Sequence, residues 1–318
     1  MKRVLFLPLL VSMLFACKKD AVKNDPPVDS VSDKKAISIS IADFIREEEN
    51  MRSAKKKQPN SGTYAKEDSA RISDIYYIAY NSNGNKVSLI HQDTVNQSSS
   101  FGTISDSLAS GSYTIVLIAS EKPLYTETFT SPVNNPNISS HSFGPAFLGA
   151  VAINPLGDLF FKKIQVDIAP TGNPTSLEVT LNRIVGKLEV NILDALPATD
   201  PNGYIGVQVT PLSIAFNLAD ESISQPESIW QWIGTRTSQH TFKDYLFGAN
   251  NEFNVVISYK DKNTGADLVK TIEHVTCHTN KKTIITGYLY GTPNHPGGPD
   301  YQVKLNQSWD SDSTVINF

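Results

Sequence analysis

Cysteine is scarce in this sequence, which contains only Cys17 and Cys277 among its 318 residues. Two cysteines allow at most one intramolecular disulfide, and Cys17 lies in a segment that we expect to be lipid-modified. The chain is therefore not a disulfide-stapled scaffold, and its stability has to come from packed apolar cores.

The sequence also lacks an apolar run long enough to cross a bilayer. The N-terminal apolar run, residues 4–16, has 13 residues, whereas a transmembrane helix needs about 20. Lys2 and Arg3 precede the run, as in a secretory signal. We therefore expect residues 1–16 to be a signal peptide and the mature protein to be exported rather than to span a membrane.

The chain is mildly acidic, and its lysines are scattered along the sequence. The whole sequence has a net charge of −4, which becomes −6 when the two positive charges of Lys2 and Arg3 leave with the signal peptide. Proteins that bind nucleic acids usually present a clustered basic face. We therefore expect no nucleic-acid partner.

Catalytic signatures are missing as well. The sequence has no glycine-rich phosphate loop, no G-x-S-x-G elbow and no H-E-x-x-H zinc motif. Pairs of acidic residues occur, but any β protein offers such pairs. The sequence therefore predicts no catalytic residues, no cofactor and no enzymatic activity.

The stretch EHVTCH contains the one cluster of metal-ligand types, His274, Cys277 and His278. On a strand the two histidines would share a face about 13 Å apart, at about 3.3 Å per residue, with the cysteine pointing the other way. Zinc–ligand bonds of about 2.0–2.3 Å cannot bridge that distance. The β-branched composition disfavours the helix that would bring the histidines together. We predict no metal site here, only surface histidines beside a half-buried thiol.

Cys17 directly follows the apolar run, in the stretch LFACKKD, and this arrangement resembles a bacterial lipobox. In that motif the cysteine receives a diacylglyceryl thioether and becomes the mature N-terminus. Two or three acyl chains, at about 0.8 kcal/mol per buried methylene, give stable anchoring. The alternative is a plain signal peptide that happens to carry a cysteine. Residues 17–34 have no aromatic residue and contain two adjacent prolines, which predicts a flexible linker.

Apolar and polar residues alternate with a period of two along most of the remaining chain. This pattern predicts many short strands and an all-β fold of sandwich-like domains. Residues 225–234, QPESIWQWIG, predict a short helix, and residues 143–154, FGPAFLGAVAIN, fit either a short helix or an irregular crossover. A break at TGNPT divides the chain into domains at 35–172 and 173–318, and the alternating run SLEVTLNRIVGKLEVNIL follows it, with a bulge or bend expected near Gly186.

The first predicted strand, AISISIADF, places Ile37, Ile39 and Ile41 on one face and serines on the other. A polar stretch of 26 residues, 46–71, follows, and a structureless connection of that length points to a mobile or functional loop. Beyond it, ISDIYYIAYNSNGNKV predicts a β-hairpin, because Asn83 and Gly84 both tolerate a positive φ.

Trp230 and Trp232 lie two positions apart beside an irregular segment. They could form a platform on which a sugar stacks. The alternative is that they anchor the short predicted helix against the sheet.

The motif L-x-R-x-V-G-K-L-x-V resembles a strand of the fimbrillin-type lipoproteins of Bacteroidota. Its defining residues here are Leu181, Arg183, Val185, Gly186, Lys187, Leu188 and Val190. Two other segments are similar to that family. ISDIYYIAYNSNGNKV looks like its first hairpin, and KKTIITGYLYG followed by YQVKLNQSWD looks like its closing strands.

The resemblance implies two tandem transthyretin-like β-sandwich domains and a role as a fimbrial subunit, anchor or accessory adhesin. In such subunits cleavage after an arginine removes the first strand, and a neighbour's donor strand then fills the groove. Here the candidate cleavage positions are Arg46, Arg52 and Arg71, and the candidate exchangeable strand carries Ile37, Ile39 and Ile41.

The partners implied are other fimbrial subunits through strand exchange, the outer membrane through the N-terminal lipid, and host or community surface ligands. The expected location is the cell surface, in a fimbrium. Two alternatives stay open: the first strand is retained for life, as in anchor-type relatives, or the protein is a glycan-binding surface lipoprotein of a polysaccharide uptake system.

Overall fold

Strands form nearly all of the regular structure in the part of the chain that the computed structural model describes. That part is residues 34–317 without 46–71, 97–99, 125–136, 149–150, 155, 195–204, 225–229, 233–234, 239–240, 248, 262, 291–300 and 307–312. A 3-10 turn, Ile138–Ser140, is the one helical element within these ranges. The described residues contain no helix with the length and apolarity that crossing a bilayer demands.

The strands of the first half are β1 (Lys35–Ile45), β2 (Asp74–Asn81), β3 (Lys86–Asp93), β4 (Thr103–Leu108), β5 (Gly111–Ser120), β6 (Ser142–Phe143), β7 (Ala146–Leu148), β8 (Val151–Asn154), β9 (Leu159–Ile168) and β10 (Thr175–Arg183). Those of the second half are β11 (Val185–Ile192), β12 (Gly206–Thr210), β13 (Ala215–Asn217), β14 (Ile223–Ser224), β15 (Trp230–Trp232), β16 (Thr235–Ser238), β17 (Thr241–Phe247), β18 (Ala249–Lys260), β19 (Asp267–Cys277), β20 (Lys282–Gly287), β21 (Tyr301–Asn306) and β22 (Ser313–Asn317).

The prediction of an all-β fold is confirmed, but the short helical insertions are not seen among the described residues. Where a helix was expected over 225–234, the described part is strand β15, which pairs with β12 and β8. Aromatic residues favour strands, and pairing on both sides outweighs a weak local helix signal. The stretch 143–154 is likewise extended, in β7 and β8, rather than helical.

Seven strands form the first sheet, in the order β3-β2-β5-β9-β10-β1-β4. Six consecutive residues of β2, from Ile75 to Tyr80, are all buried because both faces of this sheet are covered. One set of alternating side chains joins a core that we call the first core, and the other set joins a core against the small sheet β14-β13-β6. The densely apolar strand β5 lies inside this sheet, paired with β2 on one side and β9 on the other.

The first core consists only of residues from strands of the first sheet and is completed at its borders by partly buried neighbours. It contains Ile39 of β1 and Tyr77 of β2, although three strands separate β1 from β2 in the sheet order. A flat sheet would hold these side chains far apart. The sheet therefore curls, in the sense that twisted sheets of this size adopt, and encloses its own core.

Two further sheets pack face to face as a sandwich: the second sheet, β16-β17-β11-β20-β21-β22, and the third sheet, β19-β18-β12-β15-β8-β7. The core between them takes alternating residues from both, including Leu188 and Val190 of β11 and Val255 and Ile257 of β18. This alternation of inward apolar and outward polar residues is what the sequence pattern predicted.

The long alternating run SLEVTLNRIVGKLEVNIL contains two strands that belong to different sheets. β10 ends at Arg183 in the first sheet, and β11 begins at Val185 in the second sheet. The change falls at Ile184, whose backbone N–H donates to the carbonyl oxygen of Leu159 at 3.0 Å. The division into domains at 172/173 stays a prediction, and sheet membership changes eleven residues later.

The hairpin of β2 and β3 forms where the sequence predicted it. Its turn is closed by the N–H of Gly84, which donates to the carbonyl oxygen of Asn81 at 2.8 Å. Gly84 has a φ of +76°, the left-handed conformation that glycine adopts without penalty. Asn83 does not adopt a positive φ, so glycine alone supplies the special conformation.

Candidate functional site

The first strand, β1, lies inside the first sheet rather than at its edge. On one side it runs parallel to β10, with Ile37 opposite Thr175 and Ile39 opposite Leu177. On the other side it runs antiparallel to the edge strand β4, with Ile39 opposite Ile104. Both rows of main-chain hydrogen-bonding groups of β1 are therefore used by its neighbours.

The inward face of β1 is the apolar face that the sequence predicted. Ile37 and Ile39 are buried, with exposed fractions of 2% and 0%, and Ile41 packs against the first core while partly exposed. The register against β10 shifts between Ile41 and Asp43, so the regular pleat of β1 ends at a bulge there. The backbone N–H of Ile41 still donates to Gly102 O, at 2.9 Å.

This placement defines what would remain if β1 left: a groove between β4 and β10, which we call the β1 groove. Its walls would present unpaired N–H and C=O groups, and its floor would be the apolar side chains of the first core. Unpaired backbone groups and exposed apolar surface are both costly. Such a groove is therefore stable only when a strand of the same apolar pattern fills it.

The L-x-R-x-V-G-K-L-x-V motif spans the end of β10 and the start of β11, and we call residues 181–190 the motif segment; Arg183 is the last residue of β10. Its guanidinium donates from Nε to Asp158 Oδ1 and from Nη2 to Asp158 Oδ2, at 2.8 Å each. Its Nη1 donates to Asn280 Oδ1 at 2.8 Å, and its Cζ lies 5.1 Å from the centroid of the Phe160 ring. Arg183 thus joins the first sheet to the turn that precedes β20.

Gly186 and Lys187 of the same motif have separate structural roles. A Cβ atom on Gly186 would lie 2.4 Å from the carbonyl oxygen of His278 and 2.6 Å from Cys277 Sγ, so only glycine allows this approach of β11 to the end of β19. The Lys187 Nζ lies 5.6 Å from the centroid of the Tyr245 ring, a cation–π contact. The motif therefore has a packing explanation at each of these positions.

The predicted cleavage and lipidation residues, Cys17, Arg46, Arg52 and Arg71, lie outside the described residues, and their roles stay predictions. Trp230 and Trp232 lie on β15, on a strand rather than a helix, and their side chains fall outside the description. The structure brings together Ile37, Ile39 and Ile41 on β1 and does not test whether that strand exchanges.

The histidines and cysteine of EHVTCH do not converge. His274 is exposed, has a φ of +58°, and lies 2.6 Å from Glu252 through its Nδ1, which raises the histidine's pKa. Cys277 is fully buried rather than half-buried, and burial raises its pKa to about 12. Among the described residues no group of three potential ligands could hold a metal ion.

Sequence reasoning missed one buried polar cluster beside the first sheet. His141 is fully buried, and its Nδ1 contacts the hydroxyl of Tyr80 across 61 residues of sequence. Burial, followed by the positive charge of Lys86, lowers the pKa of His141 to about 4. Only the order of strands brings these residues together, and no local pattern in the sequence could have found them.

Comparison with known proteins shows where this architecture recurs. The model of the family described as "Fimbrillin-A associated anchor proteins Mfa1 and Mfa2" matches residues 57–312. The comparison with curated proteins gives no significant match.

Three solved structures share the fold at low sequence identity. A candidate adhesin from Bacteroides ovatus aligns at 11% identity with a TM-score of 0.53, over 89% of this chain and 96% of that one. Candidate polysaccharide-binding proteins from Bacteroides thetaiotaomicron align at 11% and 0.51, over 89% and 98%. The fimbrial anchor protein Mfa2 from Porphyromonas gingivalis aligns at 12% and 0.51, over 89% and 99%.

Proposed function

Since the chain belongs to the family of fimbrillin-A associated anchor proteins, we propose that it is a lipid-anchored protein of a surface fimbrium that joins neighbouring subunits by strand addition at the β1 groove. Its partners are other fimbrial subunits, and its membrane attachment is through Cys17. Its role is structural and adhesive rather than catalytic. We further propose that its two β-sandwich domains are transthyretin-like.

The observation that carries strand addition is the position of β1. The strand is held by β10 and β4 through main-chain pairing, and its apolar face fills the first core. An incoming strand that alternates in the same way could make the same main-chain hydrogen bonds and fill the same apolar positions. The polar stretch 46–71 follows directly and offers arginines at 46, 52 and 71 as cleavage positions.

Cleavage would decide between two states of this one protein. A chain cut after Arg46, Arg52 or Arg71 keeps β1 only by non-covalent contacts and can exchange it for a donor strand. An uncut chain keeps β1 and the lipid at Cys17, and so acts as the membrane anchor of the fimbrium.

Intact-mass measurement of purified surface filaments tests the polymer. We expect a subunit that begins just after one of the three arginines, together with uncut acylated chains at the filament base. Substituting alanine for the arginine after which cleavage occurs should prevent formation of the shortened chain. Alanine at either of the other two arginines should not. The proposal is wrong if neither the cut nor the acylated chain is ever found in filaments.

Metabolic labelling with an alkyne fatty acid tests the anchor. We expect the label on the wild-type chain and on Cys277→Ala, and its loss in Cys17→Ala, because thioether formation requires that thiol. Label on Cys17→Ala would show that the attachment lies elsewhere.

Glycan binding is the second candidate, favoured by the fold shared with candidate polysaccharide-binding proteins. Affinity electrophoresis against a panel of polysaccharides tests it, with Trp230→Ala and Trp232→Ala compared with Trp309→Ala as a matched control. Retardation that only the first two variants lose would support a sugar site on β15. No retardation by any polysaccharide would exclude it for that panel.

A further inference from the structure

The side chain of Gln92 joins the two ends of the first sheet. In the strand order, β4 lies at one end and β3, which carries Gln92, lies at the other. The side-chain Nε2 of this glutamine donates to Thr103 O at 2.7 Å and to Ser100 O at 3.3 Å, and its Oε1 accepts from the N–H of Gly102 at 3.0 Å. One buried amide therefore ties β3 to the turn of residues 100–103, which leads into β4 and which we call the β4 turn.

The amide uses both kinds of hydrogen-bonding group that it has. A glutamine side chain carries two donor hydrogens on nitrogen and an acceptor oxygen. Here both donors meet carbonyl oxygens and the acceptor meets an N–H, so turning the amide over would place its oxygen against two carbonyl oxygens. Gln92 lies directly opposite Ile75, which belongs to the first core, and therefore faces that core. A polar side chain on this face thus has a specific partner, the β4 turn.

The β4 turn is also bonded to β1. The carbonyl oxygen of Gly102 accepts from the N–H of Ile41 at 2.9 Å, and the N–H of Thr103 donates to Ser100 O within the turn at 2.9 Å. Gly102 has a φ of +91°, a conformation that glycine adopts without penalty. Gly102 therefore bonds to β3 through its N–H and to β1 through its carbonyl oxygen.

These bonds matter for β4 when β1 leaves the sheet. Among the described strands, β4 pairs with β1 alone, so the departure of β1 removes its ladder of main-chain hydrogen bonds. Ile104 and Leu108 still pack in the first core, but apolar packing is non-directional and does not fix the course of a strand. The bonds from Gln92 to the β4 turn do not involve β1 and can persist after β1 has left.

From this arrangement we infer that Gln92 is a positioning residue for strand addition: it keeps β4 in place as a wall of the β1 groove while the groove is empty. An incoming strand then meets a preformed edge. Without these bonds β1 and β4 come away together, and the incoming strand has to order β4 again before pairing with it, which weakens binding. The inference rests on the proposed strand addition and names the residue that prepares its acceptor side.

The role of Gln92 can be tested first in the intact full-length chain, by hydrogen exchange resolved for single backbone amides. The amide of Ile41 reports the opening of β1, and the amide of Thr103 reports the opening of the β4 turn, since both donate to oxygens of that turn. Local openings expose amides separately, whereas a general loss of stability affects both. We expect Thr103 to be at least about tenfold more protected than Ile41 in the wild type, because the turn survives the openings that release β1.

Gln92→Met removes the three hydrogen bonds and nearly keeps the length of the side chain. We expect it to bring the protection of Thr103 to within about threefold of that of Ile41, because the turn then opens with β1. Gln165→Met is the matched control, since its amide bonds to Thr114 between β5 and β9, which pair along their length; it should leave the ratio unchanged. The inference is overturned if the wild-type ratio is near one, if Gln92→Met leaves it unchanged, or if Gln165→Met lowers it equally.

Gly102→Ala is a second variant, for the case that Gln92→Met does not fold. A Cβ on Gly102 meets no atom within 4 Å, so the change strains only the backbone of the β4 turn. Gly265→Ala, also in open space and with a φ of +72°, is its control. We expect the protection ratio of Thr103 to Ile41 to fall in Gly102→Ala and to stay unchanged in Gly265→Ala. An unchanged ratio in both variants overturns the inference.

Peptide exchange then tests the consequence for assembly. The folded chain is cut within residues 46–71, and a labelled peptide of residues 35–45 competes with the resident strand for the β1 groove. We expect the peptide to bind Gln92→Met about tenfold more weakly than the wild type or Gln165→Met, because binding then includes the ordering of β4. Equal affinity for all three overturns the inference. Failure of the peptide to enter the wild-type chain overturns the proposed strand addition instead, and the protection ratio, which needs no exchange, separates the two outcomes.

Discussion

Arg183 and Asp158 form a bidentate ion pair that is shielded from solvent, with both N–O distances at 2.8 Å and side-chain exposures of 1% and 0%. Removing a charge from water is costly, and the cost is recovered only when the pair is well oriented and its other groups are bonded. Here the third donor of the guanidinium reaches Asn280, and the carboxylate lies at the start of β9. The pair therefore fixes the end of β10, where the chain leaves the first sheet.

Breaking this pair should be one of the most destabilising single changes in the protein. We expect Arg183→Ala and Asp158→Asn each to reduce the free energy of unfolding by about 3–5 kcal/mol, because each leaves a buried partner uncompensated. Urea unfolding followed by tryptophan fluorescence measures the change. Lys260→Ala, which breaks the exposed pair with Asp267, is the control and should cost about 1 kcal/mol or less. Equal costs for the buried and the exposed pair would contradict the role assigned to Arg183.

Gly186 should not tolerate a side chain. Its Cβ would collide with the backbone oxygen of His278 and with Cys277 Sγ, and overpacking of this kind costs about 1–3 kcal/mol or more. The collision with sulfur predicts coupling: Gly186→Ala and Cys277→Ala together should destabilise less than the sum of the two single changes. Gly265→Ala, in open space, should combine additively with Cys277→Ala. Additive costs for the Gly186 pair would show that β11 moves away instead.

We expect the folded protein to lose stability in mild acid because of the buried His141. Its folded-state pKa is lowered to about 4 by burial and by Lys86, whereas an unfolded histidine titrates near 6.5. The unfolded state therefore binds the proton first, and the stabilisation present above pH 6.5 is lost as the pH falls toward 4. By pH 5 the loss should be about 2 kcal/mol. Urea unfolding at pH 7, 6 and 5 measures it, and His141→Gln should flatten the dependence over that window. The same slope in both proteins would place the titrating group elsewhere.

Cys277 should be inert in the folded protein. Burial raises its pKa to about 12, so the thiolate that reacts with alkylating agents is absent near neutral pH. We expect iodoacetamide at pH 8 to leave Cys277 unmodified in the folded chain and to modify it fully in urea, as read by peptide mass mapping. Rapid labelling of the folded chain would show that the end of β19 opens easily.

The strands were predictable from local pattern, and their partners were not. The pattern of apolar residues located β1 and β2, and Asn-Gly located the β2–β3 turn. However, alternation on β2 does not reveal that both of its faces are covered, since that depends on the small sheet formed by β6, β13 and β14. The one local hint is that residues 75–80 contain no charged side chain.

The motif segment could be recognised from the sequence, but its structural role could not be predicted from it. The pattern predicts a bulge or bend near Gly186, whereas the chain changes sheets at Ile184, and glycine at 186 is required by the close approach of the end of β19. The partners of Arg183 lie 25 and 97 residues away, at Asp158 and Asn280. Contacts over such separations are set by the topology. The prediction of a helix at 225–234 is wrong for residues 230–232 for the same reason: they form β15, which pairs with strands that are distant in sequence.

The parallel pairing of β1 with β10 has a kinetic consequence. β2 pairs with β3 and β5, and β5 pairs with β9, all antiparallel. These strands can therefore associate during synthesis, before the ribosome has added Thr175 of β10. β1 can pair earlier with β4, but it joins the other strands of the sheet only through β10, where Ile37 lies opposite Thr175, and pairings between such distant segments form slowly. β1, together with β4, is thus added to this sheet only after β10 has been synthesised. Once β10 has formed, its free edge can pair either with β1 or with a strand of another chain until β1 has been added.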